Sequence, residues 1–466
     1  MFDVVRTSPI PLGDQLVERV SVLIESGRLP EGSRLPSVRQ LARRIGVSVY
    51  TVTSAFERLS AKGLIDARAG AGYFVAPLRS RRAVSRVELA PLTSSDPILG
   101  FTRNAIEQDE ISVPAGSGFL PPSWLADAVS SSILSRVVKA GVLTESAATQ
   151  GDAALRELLA ERLRMAALPV AARSIVVTFG ASHAFDLIAR TLLKPNDSVM
   201  VDDPGYFVLP VQLRSHGVHP IPVPRAAEGI DLEALESVAR LHRPRMLFTQ
   251  TVLHNPTGTS ATAANCHGIL TLAEKYNFVV VEDHVYTDLA PRPMVSLAQI
   301  DELKRVLYVG SFTKVLGAGL RIGFVAAPEA LVPRLVDSKI LGVLSGSALD
   351  EFVLRELLAS GKYRKHTERL RDRLAKARAA ATNALHRAGL TIETSGADGL
   401  FLWCRLPAGV DPERLSADAR AAGILLANGA MFSISGRNAA YLRINVAYGS
   451  DPTLTQFLES RCSAAA

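Results

Sequence analysis

The sequence predicts a multidomain protein: an N-terminal winged helix-turn-helix, then a large α/β domain that closes with a smaller α+β portion. Three observations support this fold class. The chain has 466 residues, more than one hydrophobic core usually organises. Its first 77 residues contain helical patterns followed by a hairpin pattern. From about residue 155 onward, helical segments alternate with short apolar strands.

Helical periodicity and capping residues predict three helices and a β-hairpin at the N-terminus. In order, the helices are expected over residues 12–25, 37–45 and 48–63, and the strands over residues 64–68 and 73–75. Ser37 and Ser48 are expected to cap the second and third helices, with Gly46 in the turn between them. We assign these elements to a winged helix-turn-helix domain over residues 1–77.

Residues 78–112 show no strong hydrophobic period and are predicted to be a linker to a domain over residues 113–466. Strands in that domain are expected over residues 174–178, 198–201, 246–249, 278–281, 306–309 and 322–326. Helical patterns such as residues 155–163 and 264–275 precede and separate them, which predicts a largely parallel sheet. A strongly helical stretch over residues 348–387 leads to closing strands near residues 399–405 and 441–446.

The positive charge is concentrated in the N-terminal domain. Residues 1–82 contain 13 Lys and Arg against 7 Asp and Glu, which is nearly all of the net charge of +7. This surplus indicates a polyanionic partner, although a solvated basic face would have the same composition.

Composition excludes several other classes of protein. No apolar run is long enough to cross a bilayer, and the N-terminus lacks the pattern of a secretory signal, so we expect a cytoplasmic protein without a membrane partner. The three cysteines, Cys266, Cys404 and Cys462, have no metal-ligand spacing and are expected to be reduced and structural. No metal site is predicted.

The helix-turn-helix pattern supplies candidate DNA contacts, because the second helix of such a motif enters the major groove. The candidates are Arg34, Ser37, Arg39, Ser48, Tyr50, Thr51, Thr53, Arg68, Gly70 and Gly72. The segments LPSVRQLA (35–42) and GVS (46–48) and the glycines of the hairpin, in this order and spacing, resemble the GntR-type winged helix. Val49 stands where this family often has arginine. A winged helix used only for protein contact is the alternative interpretation.

A second set of motifs follows the predicted strands of the larger domain. Lys314 lies in the segment SFTKVLGAGLR, and Asp283 ends an apolar strand three residues before Tyr286. Asn255 begins an N-P-T-G turn, and Tyr206 follows D-P-G. Each motif alone is also typical of an ordinary turn, helix cap or core residue.

Together these motifs match what pyridoxal 5′-phosphate (PLP) requires. Lys314 would form the Schiff base and Asp283 would hold the pyridinium nitrogen, while Tyr286 and Asn255 would donate to the phenolic oxygen and Tyr206 would stack on the ring. The phosphate would be bound by residues at a helix start and around the lysine. These residues are Gly180, Ala181, Ser182, Ser311, Thr313 and Arg321.

The ordered set resembles the class I/II aminotransferases of PLP fold type I over residues 113–450, with an aspartate aminotransferase-like fold. On that resemblance, Arg443 matches the arginine that binds a substrate carboxylate. Two features depart from the family. No tyrosine stands just before Gln150, and residues 317–319 (GAG) replace a segment that usually contains proline.

The two halves in this order resemble the MocR subfamily of GntR-type transcriptional regulators over nearly the whole chain. The resemblance implies a homodimer that binds operator DNA and senses a small amino compound, or PLP itself, through an internal aldimine on Lys314. Two alternatives remain open from the sequence. One is a working aminotransferase with an accessory DNA-binding domain, in which Lys314 and Asp283 are catalytic, and the other is a DNA-binding protein whose larger domain has lost its cofactor.

Overall fold

A computed structural model describes residues 2, 4–5, 10–68, 70–77, 97–107, 110–393 and 398–462. The chain forms two compact units, Met1–Ser94 and Ser95–Ala466. Most of the predicted linker, residues 78–96 and 108–109, lies outside the described residues. No described helix is long and apolar enough to cross a membrane.

The first unit is three helices followed by a two-stranded antiparallel hairpin, as predicted. Its elements are α1 (Leu12–Glu25), α2 (Val38–Ile45), α3 (Val49–Ala61), β1 (Ile65–Arg68) and β2 (Gly72–Val75). Leu16 and Val20 of α1 pack with Phe56 and Leu59 of α3 in one core. Ser37 caps α2, since its hydroxyl accepts a hydrogen bond from the Gln40 backbone N–H.

An eight-stranded sheet forms the centre of the second unit. In chain order its strands are β3 (Ile175–Thr178), β4 (Ser198–Asp203), β5 (His219–Ala226), β6 (Gly229–Ile230), β7 (Met246–Thr249), β8 (Val279–Asp283), β9 (Val306–Ser311) and β10 (Gly323–Ala326). Their spatial order is β3-β10-β9-β8-β7-β4-β5-β6. The five strands from β9 to β5 are parallel, whereas β10 is antiparallel to both neighbours and β6 is antiparallel to β5.

A second, four-stranded antiparallel sheet lies in the C-terminal part, as the closing α+β pattern predicted. Its strands are β11 (Thr391–Ile392), β12 (Phe401–Arg405), β13 (Ala427–Asn428) and β14 (Tyr441–Asn445), in the order β11-β12-β14-β13.

The described part of the second unit contains fifteen α-helices. They are α4 (Pro97–Glu107), α5 (Pro122–Leu125), α6 (Ser131–Lys139), α7 (Ala153–Met165), α8 (Gly180–Leu192), α9 (Val208–Ser215), α10 (Leu232–His242), α11 (Ala263–Tyr276), α12 (Leu297–Asp301), α13 (Thr313–Leu316), α14 (Val332–Val343), α15 (Ala348–Ala359), α16 (Lys362–Arg387), α17 (Pro412–Ala421) and α18 (Pro452–Cys462). Neighbouring strand residues such as Val280 and Val281 belong to different hydrophobic clusters. The central strands are therefore buried on both faces, which explains their continuous apolar sequences.

Several elements were not predicted, among them the short strands β6, β11 and β13. Helix α4 occupies residues that we expected to be an unpatterned linker, and β5, whose sequence contains Pro220, Pro222 and Pro224, was not predicted. The three cysteines are buried and free, as predicted.

Candidate cofactor site and nucleic-acid interface

The predicted cofactor residues come from strand ends at one edge of the large sheet. Asp283 ends β8 and Ser311 ends β9. Gly323 begins β10 and pairs with Ser311 on one side and with Thr178, the last residue of β3, on the other. Because β10 runs antiparallel, its start brings Arg321 to the edge where the other strands end. This edge is where α/β sheets usually bind ligands.

Lys314 lies on α13, and its amine is enclosed by aromatic rings. Its Nζ donates to the carbonyl oxygen of Gly118 at 3.0 Å and lies 4.5 Å from the ring centre of Phe119 and 5.6 Å from that of Tyr286. Desolvation, with a smaller contribution from Arg443, lowers the pKa of Lys314 to about 7. A substantial fraction of this amine is therefore neutral at neutral pH, and the neutral form is the one that adds to an aldehyde.

Asp283 is buried without an ion-pair partner among the described residues. One carboxylate oxygen accepts a hydrogen bond from the Val285 N–H at 3.1 Å, and the other accepts one from Gln250 Nε2 at 3.3 Å. Desolvation raises the pKa of Asp283 to about 6. A protonated ring nitrogen would supply the cation that this carboxylate lacks.

An anion-binding cup is present at the start of α8. Gly180 has a φ of +77°, and the preceding Phe179 provides no side-chain cap for the helix N–H groups. Arg321 donates to the carbonyl oxygen of Phe179 at 3.4 Å and to the hydroxyl of Thr313 at 3.5 Å. The hydroxyl of Ser311 lies 3.3 Å from that of Thr313. Free N–H groups, two hydroxyls and a guanidinium thus converge, which suits a phosphate.

Two further predicted residues adjoin this cup. Tyr206 packs against the same hydrophobic cluster as Ala181, and burial raises the pKa of Tyr206. Ala181, between Gly180 and Ser182, packs against the hydrophobic core. The structure therefore places Tyr206 beside the cup.

Arg443 is on β14 and is only 2% exposed. Its guanidinium donates to Asn255 Oδ1 at 2.8 Å and to the carbonyl oxygen of Gly116. Its Nε has no hydrogen-bond partner among the described residues. Desolvation lowers the pKa of Arg443 to about 10, so it remains a cation at neutral pH. A buried guanidinium with no carboxylate beside it suits an anionic ligand.

The donor set as a whole fits PLP. An amine with a lowered pKa, a buried carboxylate without an ion-pair partner among the described residues and a phosphate cup lie around one edge of the sheet. Tyr286 is buried against Lys314, and burial raises the pKa of its phenol, so it stays protonated as a hydrogen-bond donor.

Sequence reasoning missed several residues of this site. Gln250 connects the two predicted cofactor residues, because its Nε2 donates to Asp283 and its Oε1 accepts from the Asn255 N–H at 2.6 Å. Gly118 and Phe119 contact Lys314 from a segment almost 200 residues away in sequence. The only sequence signal for that segment was its small-residue run, A-G-S-G, at the predicted start of the domain.

The predicted DNA-contacting residues form an exposed surface on the first unit. Tyr50, in the first turn of α3, is 81% exposed, and Arg39 in the first turn of α2 is also exposed. The Ser48 hydroxyl caps α3 by accepting from the Thr51 N–H, and the two hydroxyls lie 2.7 Å apart. The Thr53 hydroxyl donates to a backbone carbonyl of the preceding turn at 3.0 Å.

The hairpin contributes the remaining candidates. The guanidinium of Arg68 lies 4.5 Å above the ring centre of Phe74, and that of Arg34 lies beside Gly72. Gly70 and Gly72 have φ values of +72° and +101°, a backbone region that favours glycine. Arg68 of the hairpin and Arg34, which precedes α2, therefore lie near a tip without bulky side chains.

Comparisons with known proteins identify both halves of the chain. Residues 111–460 match aminotransferase class I and II, and residues 12–75 match the bacterial regulatory proteins of the gntR family. The HTH-type transcriptional regulator YdcR of Escherichia coli is 30% identical over 447 residues, covering 93% of this chain and 94% of that protein. The probable rhizopine catabolism regulatory protein MocR of Rhizobium meliloti is 28% identical over 385 residues, covering 78% and 75%. The chain belongs to the MocR-type transcriptional regulators.

The larger domain of this MocR-type regulator also resembles solved aminotransferases. LysN, the α-aminoadipate aminotransferase of Thermus thermophilus, solved with N-(5′-phosphopyridoxyl)-L-leucine, matches with a TM-score of 0.71 and 26% identity. The match covers 78% of this chain and 95% of that one. Proteins of this class bind PLP, and PLP is the cofactor of the MocR-type regulator.

Proposed function

We propose that this MocR-type regulator senses a small amino compound, or PLP itself, at Lys314 and changes its binding to operator DNA in response. The observation that carries the proposal is the environment of Lys314. Its amine lies beside Tyr286, and its pKa is lowered to about 7. The charge of Arg443 lowers this pKa further, whereas that of Asp283 raises it. A domain with this chemistry is joined in one chain to a basic winged helix, which a purely biosynthetic enzyme does not need.

Each residue of the site has a distinct task in this proposal. Lys314 would attach the cofactor, Asp283 would hold its ring nitrogen, and Arg321 with the start of α8 would hold its phosphate. PLP held by these residues would supply an electrophilic carbon that reacts with amines. Arg443 then selects effectors that carry a carboxylate. The free amine of Lys314 would be the group that carries a proton near neutral pH, because its pKa in the cofactor-free protein is about 7.

An aminotransferase with an accessory DNA-binding domain is the second candidate function. Its support is that Asp283, Lys314 and Arg443 are all present, so a proton carrier and a carboxylate site accompany the cofactor residues. Activity at a low rate is compatible with a regulator. Conversion of an amino acid and a keto acid over many turnovers would favour this second function.

A spectral titration combined with a DNA-binding assay tests the proposal. Full-length protein loaded with PLP is titrated with a panel of amino acids and amines, and its affinity for the DNA upstream of its own gene is measured in parallel. We expect one compound to change the PLP absorbance and the DNA affinity over the same concentration range. Lys314→Ala should lose both responses, whereas Lys304→Ala, at an exposed lysine, should keep them. Sequence-independent DNA binding at physiological salt would contradict the proposal.

A further inference from the structure

Aromatic side chains cover the Arg443 guanidinium. The ring centres of Phe401, Phe432 and Phe207 lie 4.4, 4.8 and 5.7 Å from its Cζ atom. Two of its nitrogens already donate within the chain, and the residue is almost completely buried. A ligand carboxylate can therefore reach Arg443 only after part of this covering has been displaced.

Phe207 and Phe432 belong to two segments that are tied together, and we call this pair the aromatic cover. Their rings are in edge contact, with centres 5.1 Å apart. The Gly205 N–H donates to the Phe432 carbonyl oxygen at 2.8 Å, and the Ser435 N–H donates to Asp203 Oδ2 at 3.2 Å. These bonds make it difficult to move one segment without the other.

Helix α4 packs on the aromatic cover. The Phe101 ring meets the Phe207 ring edge-on, with centres 5.6 Å apart, and Ile98 packs against the same cluster. Ala105 is buried on the same face of the helix, whereas Ile106 on the other face is 60% exposed. Helix α4 is thus held to the domain by one narrow apolar face centred on Phe101.

We infer that α4 detects occupancy of Arg443: Phe101 is a positioning residue that holds the aromatic cover over Arg443, and a carboxylate ligand displaces the cover and α4 together. The inference rests on the proposed function, because it concerns the same carboxylate site. In sequence, α4 is the first described element after the winged helix, so its displacement moves the point at which the chain coming from the winged helix joins the larger unit. A ligand that binds only the uncovered state shifts the population toward that state.

The sign of one mutational effect tests this inference. Removing the Phe101 ring should destabilise the covered state and so raise the affinity of a carboxylate that requires the uncovered state. A suitable probe is 3-phenylpropionate, which has a carboxylate and an aromatic tail but no amine to react at Lys314. In full-length, PLP-loaded protein, Phe101→Ala should bind this probe about two- to tenfold more tightly by calorimetry, the range expected from the loss of one aromatic pair.

The coupling to DNA is measured with the same variants. The probe should change the affinity of the unmodified protein for its upstream DNA, and Phe101→Ala should abolish that change. Phe101→Leu should lie between the two, and Ile106→Ala, on the exposed face of α4, should match the unmodified protein. Unchanged or weaker probe binding by Phe101→Ala, or a retained DNA response, would overturn the role of α4. Failure of the unmodified protein to attach PLP at Lys314 would instead contradict the proposed function.

Discussion

Lys314, Asp283 and Arg443 share one buried site. Burial shifts the pKa of each residue in the direction that favours its uncharged form. The pKa values of Lys314 and Asp283 move to about 7 and about 6, from opposite directions, and that of Arg443 falls to about 10. Only Arg443 has a pKa far enough from neutral pH to be fully charged there. The site therefore combines a fixed cation with two groups whose protonation changes near physiological pH, which is the pattern of a chemically active site.

The lowered pKa of Lys314 predicts how the rate of PLP attachment depends on pH. The neutral amine is the nucleophile, so the rate of attachment to the cofactor-free protein should rise about tenfold per pH unit below pH 7 and level off above about pH 8. A lysine with an ordinary pKa would continue to gain rate up to about pH 10. Rapid mixing with PLP, followed by borohydride reduction and peptide mapping, measures attachment at Lys314. A rate that still rises above pH 9 would rule out the lowered pKa.

Single residues also show where sequence reasoning ends. Lys314 and Asp283 were predictable because each follows an apolar strand in a recognisable motif. The bond between Arg443 and Asn255 was not, because these residues are 188 positions apart and only tertiary packing brings them together. Phe207, Phe401 and Phe432 gave no signal either, since aromatic residues beside strands are typical of any hydrophobic core.

At the scale of elements, β5 shows why local propensity failed. Pro220, Pro222 and Pro224 alternate along the strand, so their missing N–H groups all lie on one side. The intervening residues pair with β4, as shown by the His219 N–H donating to Asp197. The proline side pairs only with the two-residue strand β6, where the Pro224 carbonyl oxygen accepts from Asp231. The three prolines are tolerated because they face the edge of the sheet.

Helix α4 was missed for a different reason. Only Ala105 is fully buried in it, so its apolar pattern is too weak to be detected by periodicity. Its stability comes from packing against residues such as Phe207, which are distant in sequence. In contrast, α1, α3 and the central strands were predicted because their apolar residues recur at regular spacing around a continuous core.

The start of α8 gives a prediction about the phosphate cup. Gly180→Ala would place a side chain at a φ of +77°, strained by roughly 1–2 kcal/mol, and its Cβ would lie 3.2 Å from Arg321 Nη2. We expect PLP affinity to fall at least about tenfold, as measured by equilibrium dialysis of the cofactor. Gly319→Ala is the matched control, because Gly319 has open space around it in the same loop as Arg321. Equal affinities for the two variants would exclude a cup at the start of α8.

The helix-turn-helix gives a prediction about DNA. Arg39 is exposed in the first turn of α2, and its predicted contact is a backbone phosphate. Arg39→Ala should weaken specific and non-specific DNA binding alike and reduce the slope of log affinity against log salt by about 1. Arg58→Ala is the control. Arg58 lies in the last turn of α3 and forms an ion pair with Asp14 of α1. Loss of discrimination between DNA sequences, with an unchanged salt slope, would point to a base contact instead.

At the scale of the whole molecule, a set of exposed apolar side chains remains on the larger unit. They lie on α6, on α14 and on the segments that follow these two helices. Helix α15 connects the two groups, because it follows α14 in sequence and packs against α6. The set comprises Leu134, Val138, Leu143, Ile340, Leu341, Val343, Leu344 and Leu349. Exposed apolar side chains grouped on a few elements are typical of a protein–protein interface. We propose that it is the homodimer interface, with a second copy of the chain as its occupant.

Introducing a charge into this apolar set tests the dimer and its link to DNA. Leu341 is 84% exposed, so Leu341→Glu should leave the fold intact while placing a carboxylate in the proposed interface. We expect sedimentation to show a monomer, because an unpaired charge is costly to bury. Operator affinity should fall by roughly 100-fold, since two linked winged helices bind paired half-sites far more tightly than one. Leu241→Glu, at a residue 76% exposed on α10, should remain dimeric and bind DNA normally. A Leu341→Glu protein that stays dimeric would place the interface elsewhere on the larger unit. A monomer with full operator affinity would show that one winged helix is sufficient for recognition.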